Sequence, residues 1–309
     1  MSELKTNKIS TNDTNHVAID TALGLKSYDT TAMNALTSVA GDMIYNTTEN
    51  KVFFYNGSAW GQTGTALPLI VSYLVIAGGG GGAGSYGGGG GAGGYRNSYA
   101  SETSGRNSAT EIKLANIVAT NYTVTVGAGG AGSTNNNGAS GSDSSFASVL
   151  SNGGGNGADT NRSGGSGGSG GGAGGNSGSN PGNGKTGQGF DGGPRDSSSY
   201  SGGGGGAGGI GIARQPGDGL SSSITGTAVT RASGGPGTGG SYKAGSQADN
   251  MGSGGGQATN GRSGVVILRY SKDFTITNPG GGLTTAGEVT TGDDKYIIYT
   301  AGTGNVQWN

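Results

Sequence analysis

Cysteine is absent from this chain of 309 residues, which excludes disulfides and thiolate metal sites. Histidine occurs once, as His16 in a polar stretch. A Ser-His-Asp arrangement would have to use it, and nothing around it points that way. Charge is scarce at 11% and balanced, 17 basic against 18 acidic residues for a net charge of −1. No basic face is therefore expected to attract nucleic acid. The arginines stand singly among acids, unlike the clustered arginine and aromatic residues of single-strand-binding segments. Hydrophobic residues make up 30%, below the ~45–50% of ordinary domains, a figure that also counts glycine. No apolar run approaches the ~18 residues that would span a membrane. The start Met1-Ser2-Glu3-Leu4-Lys5 has no basic region followed by an apolar one, so no signal peptide is expected. Side-chain mass for an oily core is short, and any folded state must bury backbone instead. These absences predict a structural or binding protein rather than an enzyme, with no cofactor and no catalytic or metal site.

What the chain has is glycine, 75 residues of it, with only 6 prolines. Residues 1–67 have ordinary composition and read as an N-terminal stem or attachment region. Residues 68–270 form a glycine-rich body. Residues 271–309, a short link through Pro279 and then a β-rich tail from 283, read as a small C-terminal β module. In the stem, Met43-Ile44-Tyr45, the turn-rich Asn46 to Asn50 and Val52-Phe53-Phe54-Tyr55 spell a hairpin. A second turn follows at Asn56-Gly57 before Trp60. Asp20 to Leu25 and Thr30 to Val39 are helical or irregular. So small a region is not expected to bury Phe53, Phe54, Tyr55 and Trp60 alone, and packing around a threefold axis would cover them. In the body, Leu69 to Ile76 reads as a strand buried on both faces that runs straight into Gly78. Tyr122 to Val126 and Val265 to Tyr270 are two more strands abutting glycine. Together they suggest a small β platform from which glycine segments project.

The spacing inside the glycine runs is regular. Ala83, Tyr86 and Ala92 are separated by multiples of three, as are Ala207, Ile210 and Ala213. Ser166 and Ser169 repeat the step, and Gly172, Gly175 and Gly178 keep it, with Gly184 and Gly187 in the same phase. Three residues per turn is the period of the left-handed polyproline-II conformation, which has no internal hydrogen bonds. Its N–H and C=O groups point sideways, and without Cβ atoms neighbouring backbones can approach closely enough to pair. A bundle of such helices would satisfy its buried backbone groups. At ~3.1 Å per residue the run Gly78 to Gly94 would reach on the order of 50 Å if fully extended. The predicted fold is mainly β and irregular with little α-helix: a β platform carrying a bundle of polyglycine-II helices, flanked by the stem and the tail.

Three junctions carry a family resemblance: Leu74-Val75-Ile76-Ala77-Gly78-Gly79-Gly80, Tyr122-Thr123-Val124-Thr125-Val126-Gly127-Ala128-Gly129-Gly130, and Gly264-Val265-Val266-Ile267-Leu268-Arg269-Tyr270. They resemble the glycine-rich domain of bacteriophage tail-fibre proteins, and the bundle is similar to that of tail-fibre tip adhesins. Asp42 to Val52 with Tyr55 to Trp60 resembles a segment common in phage fibre stems. Tyr296 to Val306 resembles a small β module that follows such domains. The resemblance implies a virion protein, made in the host cytoplasm, whose loops grip a host cell-surface polysaccharide or outer-membrane protein. It also implies other virion tail proteins as partners. Tip adhesins of this kind can be monomers that cap a trimeric fibre, whereas this chain carries a stem-like N-terminus of its own, which points instead to a complete short fibre and a homotrimer. The balanced charge and the lack of long apolar runs point to neither nucleic-acid binding nor membrane insertion. The alternatives are a purely structural virion fibre or decoration protein and, more remotely, an ice-binding protein.

Recognition residues should lie where glycine runs are interrupted: Tyr95, Arg96 and Tyr99; Asn135, Asn136 and Asn137; Arg195 and Tyr200; Tyr242 and Lys243. Binding loops favour this mixture of tyrosine with small polar residues. The competing reading is that these side chains cap helix ends or face a neighbouring subunit. Other motifs carry little. Asp293-Asp294 reads as a solvated turn rather than a calcium site. Asn180 to Thr186 lacks the leading glycine of a phosphate loop, having Ser179 there. Asn46-Thr47-Thr48 is a formal glycosylation sequence with no secretion to give it meaning.

Overall fold

The computed structural model describes residues 24–62, 69–84, 86–115, 120–196, 200–241, 243 and 248–309. His16 and Tyr242 lie outside the described residues, as does most of the stretch from Asp20 to Leu25. The chain divides into two units, Met1–Pro68 and Leu69–Asn309.

In the first unit, strands β1 (Ser27–Tyr28), β2 (Met43–Asn46), β3 (Lys51–Tyr55) and β4 (Trp60–Gln62) form one sheet in that order. The expected hairpin is β2–β3, antiparallel with Met43 opposite Phe54 and Asn46 opposite Lys51. One short helix, α1 (Thr30–Asn34), starts where the Asp29 carboxylate accepts the Ala32 N–H at 2.7 Å, an N-cap that satisfies one otherwise unpaired donor. Met33, Ile44 and Phe53 are buried together, with Tyr28, Leu36 and Trp60 packed around them. The unit thus covers Phe53 by itself, contrary to expectation. Phe54 and Met43, paired on the other face, stay exposed at 39% and 47%.

The second unit is built on a ten-stranded sheet. Its strands are β5 (Ile70–Ile76), β6 (Tyr95–Asn97), β7 (Leu114–Ala115), β8 (Tyr122–Val126), β9 (Ser144–Phe146) and β10 (Val149–Ser151). A separate hairpin pairs β11 (Leu220–Ser222) with β12 (Val229–Arg231). The ten-stranded sheet is completed by β13 (Val265–Ser271), β14 (Ile276–Thr277), β15 (Leu283–Thr291) and β16 (Asp294–Trp308). The main strand order is β10-β9-β8-β16-β13-β5-β6. The three strands expected in the body appear as β5, β8 and β13. The tail, expected as a module of its own, is continuous with this sheet. Residues 294–299 of β16 pair with β13 and residues 302–306 pair with β8. The tail therefore supplies an internal strand that joins the two parts of the platform.

Alternation in β5 and β13 fills both faces of the sheet. Val71, Tyr73 and Val75 join Val266, Leu268, Tyr270, Tyr299 and Trp308 in one core. Leu74 and Ile76 join Val265 and Ile267 in the other, together with Ala92, Ala207 and Ala232 from the glycine segments. Tyr122, Phe146 and Tyr270 present their rings to Trp308 with centroids 5.7–6.2 Å away. Edge-to-face pairs of this kind add about 0.5–1.5 kcal/mol each beyond area burial.

From the platform the glycine segments run as a bundle with three residues per turn. Segment 78–83 shows the rule. Its N–H groups donate in rotation to three antiparallel neighbours: Gly78 and Gly81 to Ser142 and Ala139, Gly79 and Gly82 to Arg262 and Thr259, Gly80 and Ala83 to Gly91 and Gly88. Its carbonyls accept in rotation from three parallel neighbours: Gly154 and Gly157, Gly130 and Ser133, Gly255 and Ala258. One segment thus has six hydrogen-bonded neighbours, and a buried backbone without a side-chain core is fully paired. Glycine is required here by space rather than by φ. A Cβ on Gly79, Gly80 or Gly81 would sit 2.1–2.2 Å from the carbonyl oxygen of Ser253, Gly155 or Ala131.

The run Gly78 to Gly94 does not extend in one direction. It turns at Tyr86, whose φ is +55°, and returns as 88–94, pairing Gly80 with Gly91. The reach is thereby cut to well under half, on the order of 20 Å for six residues.

Candidate functional site

Hydrogen-bond direction sorts the loops into two ends. Segments that leave the platform beside 78–83 end in Thr134–Asn137, Asp159–Ser163 and Gln257–Thr259. Segment 169–174 runs the same way, with Ala158 N–H donating to Gly172 and Gly155 N–H to Ser169, and ends at Asn176–Ser179. Segment 189–193 is parallel to it and ends at Pro194–Asp196, with Tyr200 beyond; segments 209–213 and 232–237 end at Arg214 and Thr238. All these tips gather at the end of the bundle remote from the sheet, where Tyr86 turns.

Cross-links among the tips make them one surface. The Gly175 N–H donates to the Tyr86 carbonyl at 3.0 Å and the Asn176 N–H to the Thr160 carbonyl at 2.8 Å. The Asn176 amide donates to the Asn161 amide oxygen. Asn137 accepts the Asp159 N–H at 2.8 Å. On the other flank the Arg214 guanidinium lies 4.6 Å from the centroid of Tyr200 and 3.4 Å from the Asp196 carboxylate. Gly239 lies against the same ring, since a Cβ there would come within 3.1 Å of it. Arg214, at φ +66°, and Tyr86 both hold the left-handed backbone that costs a non-glycine residue about 1–2 kcal/mol. Tyr86 is 53% and Tyr200 37% exposed, and Asn135 and Asn136 are exposed beside them.

The expected recognition residues divide accordingly. Asn135, Asn136, Asn137, Arg195 and Tyr200 are at the tips. Tyr95, Arg96 and Tyr99 are at the platform. Tyr95 opens β6 and is fully buried among Leu74, Ile76 and Ala207, so it is a core residue and has no surface to offer. Its position follows from the return of 88–94 into the sheet, where Tyr95 pairs with Ile76. Arg96 is held by Glu111, and Tyr99 lies beneath Arg269 at 5.0 Å. Lys243 pairs with Asp218 at 3.0 Å, and the Asp218 carbonyl accepts the Gly208 N–H at the platform turn. Tyr86 and Arg214, not among the residues expected from the sequence, also stand at the tips. The sequence signal for Tyr86 was its place as a bulky interruption within a period of three.

A cavity of about 380 Å³ lies at the platform end, lined by Arg96, Ser104, Glu111, Lys185 and Gln188 among others. Its polar groups are committed to one another. Glu111 accepts from Arg96, Tyr73 and Ser104. Gln188 donates to Leu150 and Asn152 and accepts from Asn152. This network locks β5, β6 and the bundle together. Nearby, Arg106 binds Asp191 at 2.9 Å, and that hydrogen bond holds the Asp191 carboxyl below the usual range. Among the described residues no group of three or more His, Cys, Asp or Glu stands ready for a metal ion. The adjacent acids of the tail each hold a separate cation, Asp293 with Lys272 at 2.6 Å and Asp294 with Arg269 at 2.8 Å.

The family described as "Glycine-rich domain" matches residues 56–282, and the chain belongs to that family. No curated protein and no solved structure matches the chain.

Proposed function

We propose that this member of the glycine-rich domain family is a bacteriophage tail-fibre or adhesin protein that recognises a host cell-surface receptor through the distal tips of its bundle. The observation that carries the reading is the gathering of otherwise separate loops at one end of a rigid backbone-bonded scaffold. Exposed Tyr86, Tyr200, Asn135 and Asn136 stand there together. Loops held on a rigid frame are where proteins commonly place recognition, and tyrosine among small polar residues suits a binding surface. The junctions quoted above, with their resemblance to phage fibres, supply the biological setting. The receptor is a polysaccharide or an outer-membrane protein loop. Virion tail proteins are the partners at the other end. The exposed Met43–Phe54 face supports a homotrimer through the N-terminal unit, which would cover it.

The test is binding of the fluorescently labelled full chain to a panel of bacterial strains. A variant with Tyr86→Ser, Asn135→Gly, Asn136→Gly and Tyr200→Ser is run beside it. Saturable binding to a few strains, lost in the folded variant, supports recognition by the tips. Equal binding by both proteins removes the tips from the proposal. Absence of binding to every strain, the host of the parent phage included, favours a structural virion part.

A further inference from the structure

Asn-Gly is the sequence most prone to spontaneous deamidation, because a glycine amide nitrogen meets no side-chain hindrance as it attacks the preceding Asn carboxamide. The chain contains this pair at Asn56, Asn137, Asn152, Asn156, Asn183 and Asn260. In five of them the attacking nitrogen is already a hydrogen-bond donor. Gly138, Gly157 and Gly261 donate to the carbonyls of Gly157, Gly81 and Gly130 at 3.1, 2.9 and 2.9 Å. Gly153 donates to Asp143 at 2.7 Å and Gly184 to Asp191 at 2.8 Å. Attack would require each nitrogen to leave its partner and rotate toward the side chain, which the bundle opposes.

Asn56–Gly57 differs on three counts. It lies in the exposed turn between β3 and β4. Among the described residues the Gly57 N–H has no acceptor, and its φ of +99° places it outside the ladder. The Asn56 amide oxygen accepts both the Ser58 N–H at 2.8 Å and the Ala59 N–H at 2.9 Å. Those two donors fold the carboxamide back over the turn. They also polarise its carbonyl at the oxygen that gains negative charge when a nucleophile adds, as paired backbone donors do for tetrahedral intermediates.

We propose that Asn56 is a site of spontaneous modification, converting to aspartate and isoaspartate while the five bundle pairs are protected. The Gly57 nitrogen bonds to the Asn56 Cγ and gives up its proton to solvent. The Cγ–Nδ2 bond breaks, and the nitrogen departs as ammonia. The resulting succinimide is opened by water at either carbonyl, giving isoaspartate or aspartate. The net reaction consumes one water and releases one ammonia, with no change of oxidation state. The product carries one additional negative charge in the N-terminal unit. The isoaspartate form also adds a methylene to the backbone of the turn.

The experiment incubates the full chain at mildly alkaline pH and follows all six sites by peptide mass spectrometry, with fragmentation that separates aspartate from isoaspartate. A parallel sample in guanidinium measures the same sites unfolded. In the folded protein Asn56 should react on the order of tenfold or more faster than any bundle site, since those must open locally first. In guanidinium the six rates should converge. A folded Asn56 rate no greater than that of Asn137 or Asn260 overturns the proposal. So does reaction of the bundle sites at their unfolded rate.

Discussion

A single methyl group added inside the bundle should do more damage than most core truncations. In Gly90→Ala the new Cβ would stand 2.0 Å from the Gly80 carbonyl oxygen and 2.5 Å from its carbon, where ordinary contact begins at 3.4 Å. No rotamer relieves this, because the clash is between Cβ and backbone. Segment 80–83 must move by more than 1 Å. That motion breaks the Gly80 to Gly91 and Gly255 to Gly80 hydrogen bonds, both 2.9 Å. Each buried group left unpaired costs about 1–3 kcal/mol, and forced overpacking adds about 1–3 kcal/mol. Counting one unpaired group for each of the two broken bonds, the sum is about 3–9 kcal/mol, comparable to the whole stability of a typical domain. Gly178→Ala is the control. Nothing lies within 4 Å of a Cβ there, so its cost is only the left-handed backbone, about 1–2 kcal/mol. Far-UV circular dichroism is a poor reporter, since unfolded chains also populate the extended threefold conformation. Guanidinium unfolding read from buried Trp308, in a Trp60→Phe background, gives the global value, and hydrogen exchange of residues 78–94 gives the local one. A Gly90→Ala protein with unchanged midpoint and unchanged amide protection would refute the packing argument.

Three further outcomes are expected. At the tips, Tyr200→Ala should weaken binding to a responsive strain on the order of 30-fold if it acts as an interface anchor of about 2 kcal/mol, with the unfolding midpoint unmoved within error. In acid, the lowered Asp191 carboxyl contributes stability that is present above its unfolded value of ~3.9 and is lost as pH falls through the folded one. Asp191→Asn should therefore flatten the acid limb of stability against pH, by about 1 kcal/mol or less for so exposed a pair. In base, burial raises the hydroxyls of Tyr73, Tyr270 and Tyr299 far above their ordinary value. Stability should fall as pH rises past ~10, where the unfolded tyrosines ionise first. Phenolate absorbance should show these three appearing only together with unfolding.

The period of three was readable because it is local: an interrupting side chain must face the one direction with room for it. Ala83, Ala92 and Ala207 are indeed buried at such places. The strands β5, β8 and β13 were readable as apolar runs ending at glycine. The seat of β16 between β8 and β13 was not, because exposed Ala301, Gly302 and Thr303 interrupt its pattern and its partners are distant in sequence. The direction of each loop was also hidden. Tyr95 directly follows one glycine run and Tyr200 stands two residues before another, yet one ends a returning segment at the sheet and the other closes a tip. Only the hydrogen bonds between segments far apart in the chain distinguish the two ends.

The threefold turn with its six neighbours also imposes a counting rule on change. Inserting or deleting three residues in a segment lengthens or shortens it by one turn and leaves every remaining residue facing its former neighbour. One or two residues rotate all that follows by a third or two thirds of a turn. A tolerated alanine is then driven into a neighbouring carbonyl, and a glycine is turned outward where it is not needed. Between segments the loops are free of this constraint. Such a protein can therefore vary its tips in any length while its shafts vary in steps of three, so that recognition can diversify without the scaffold losing phase.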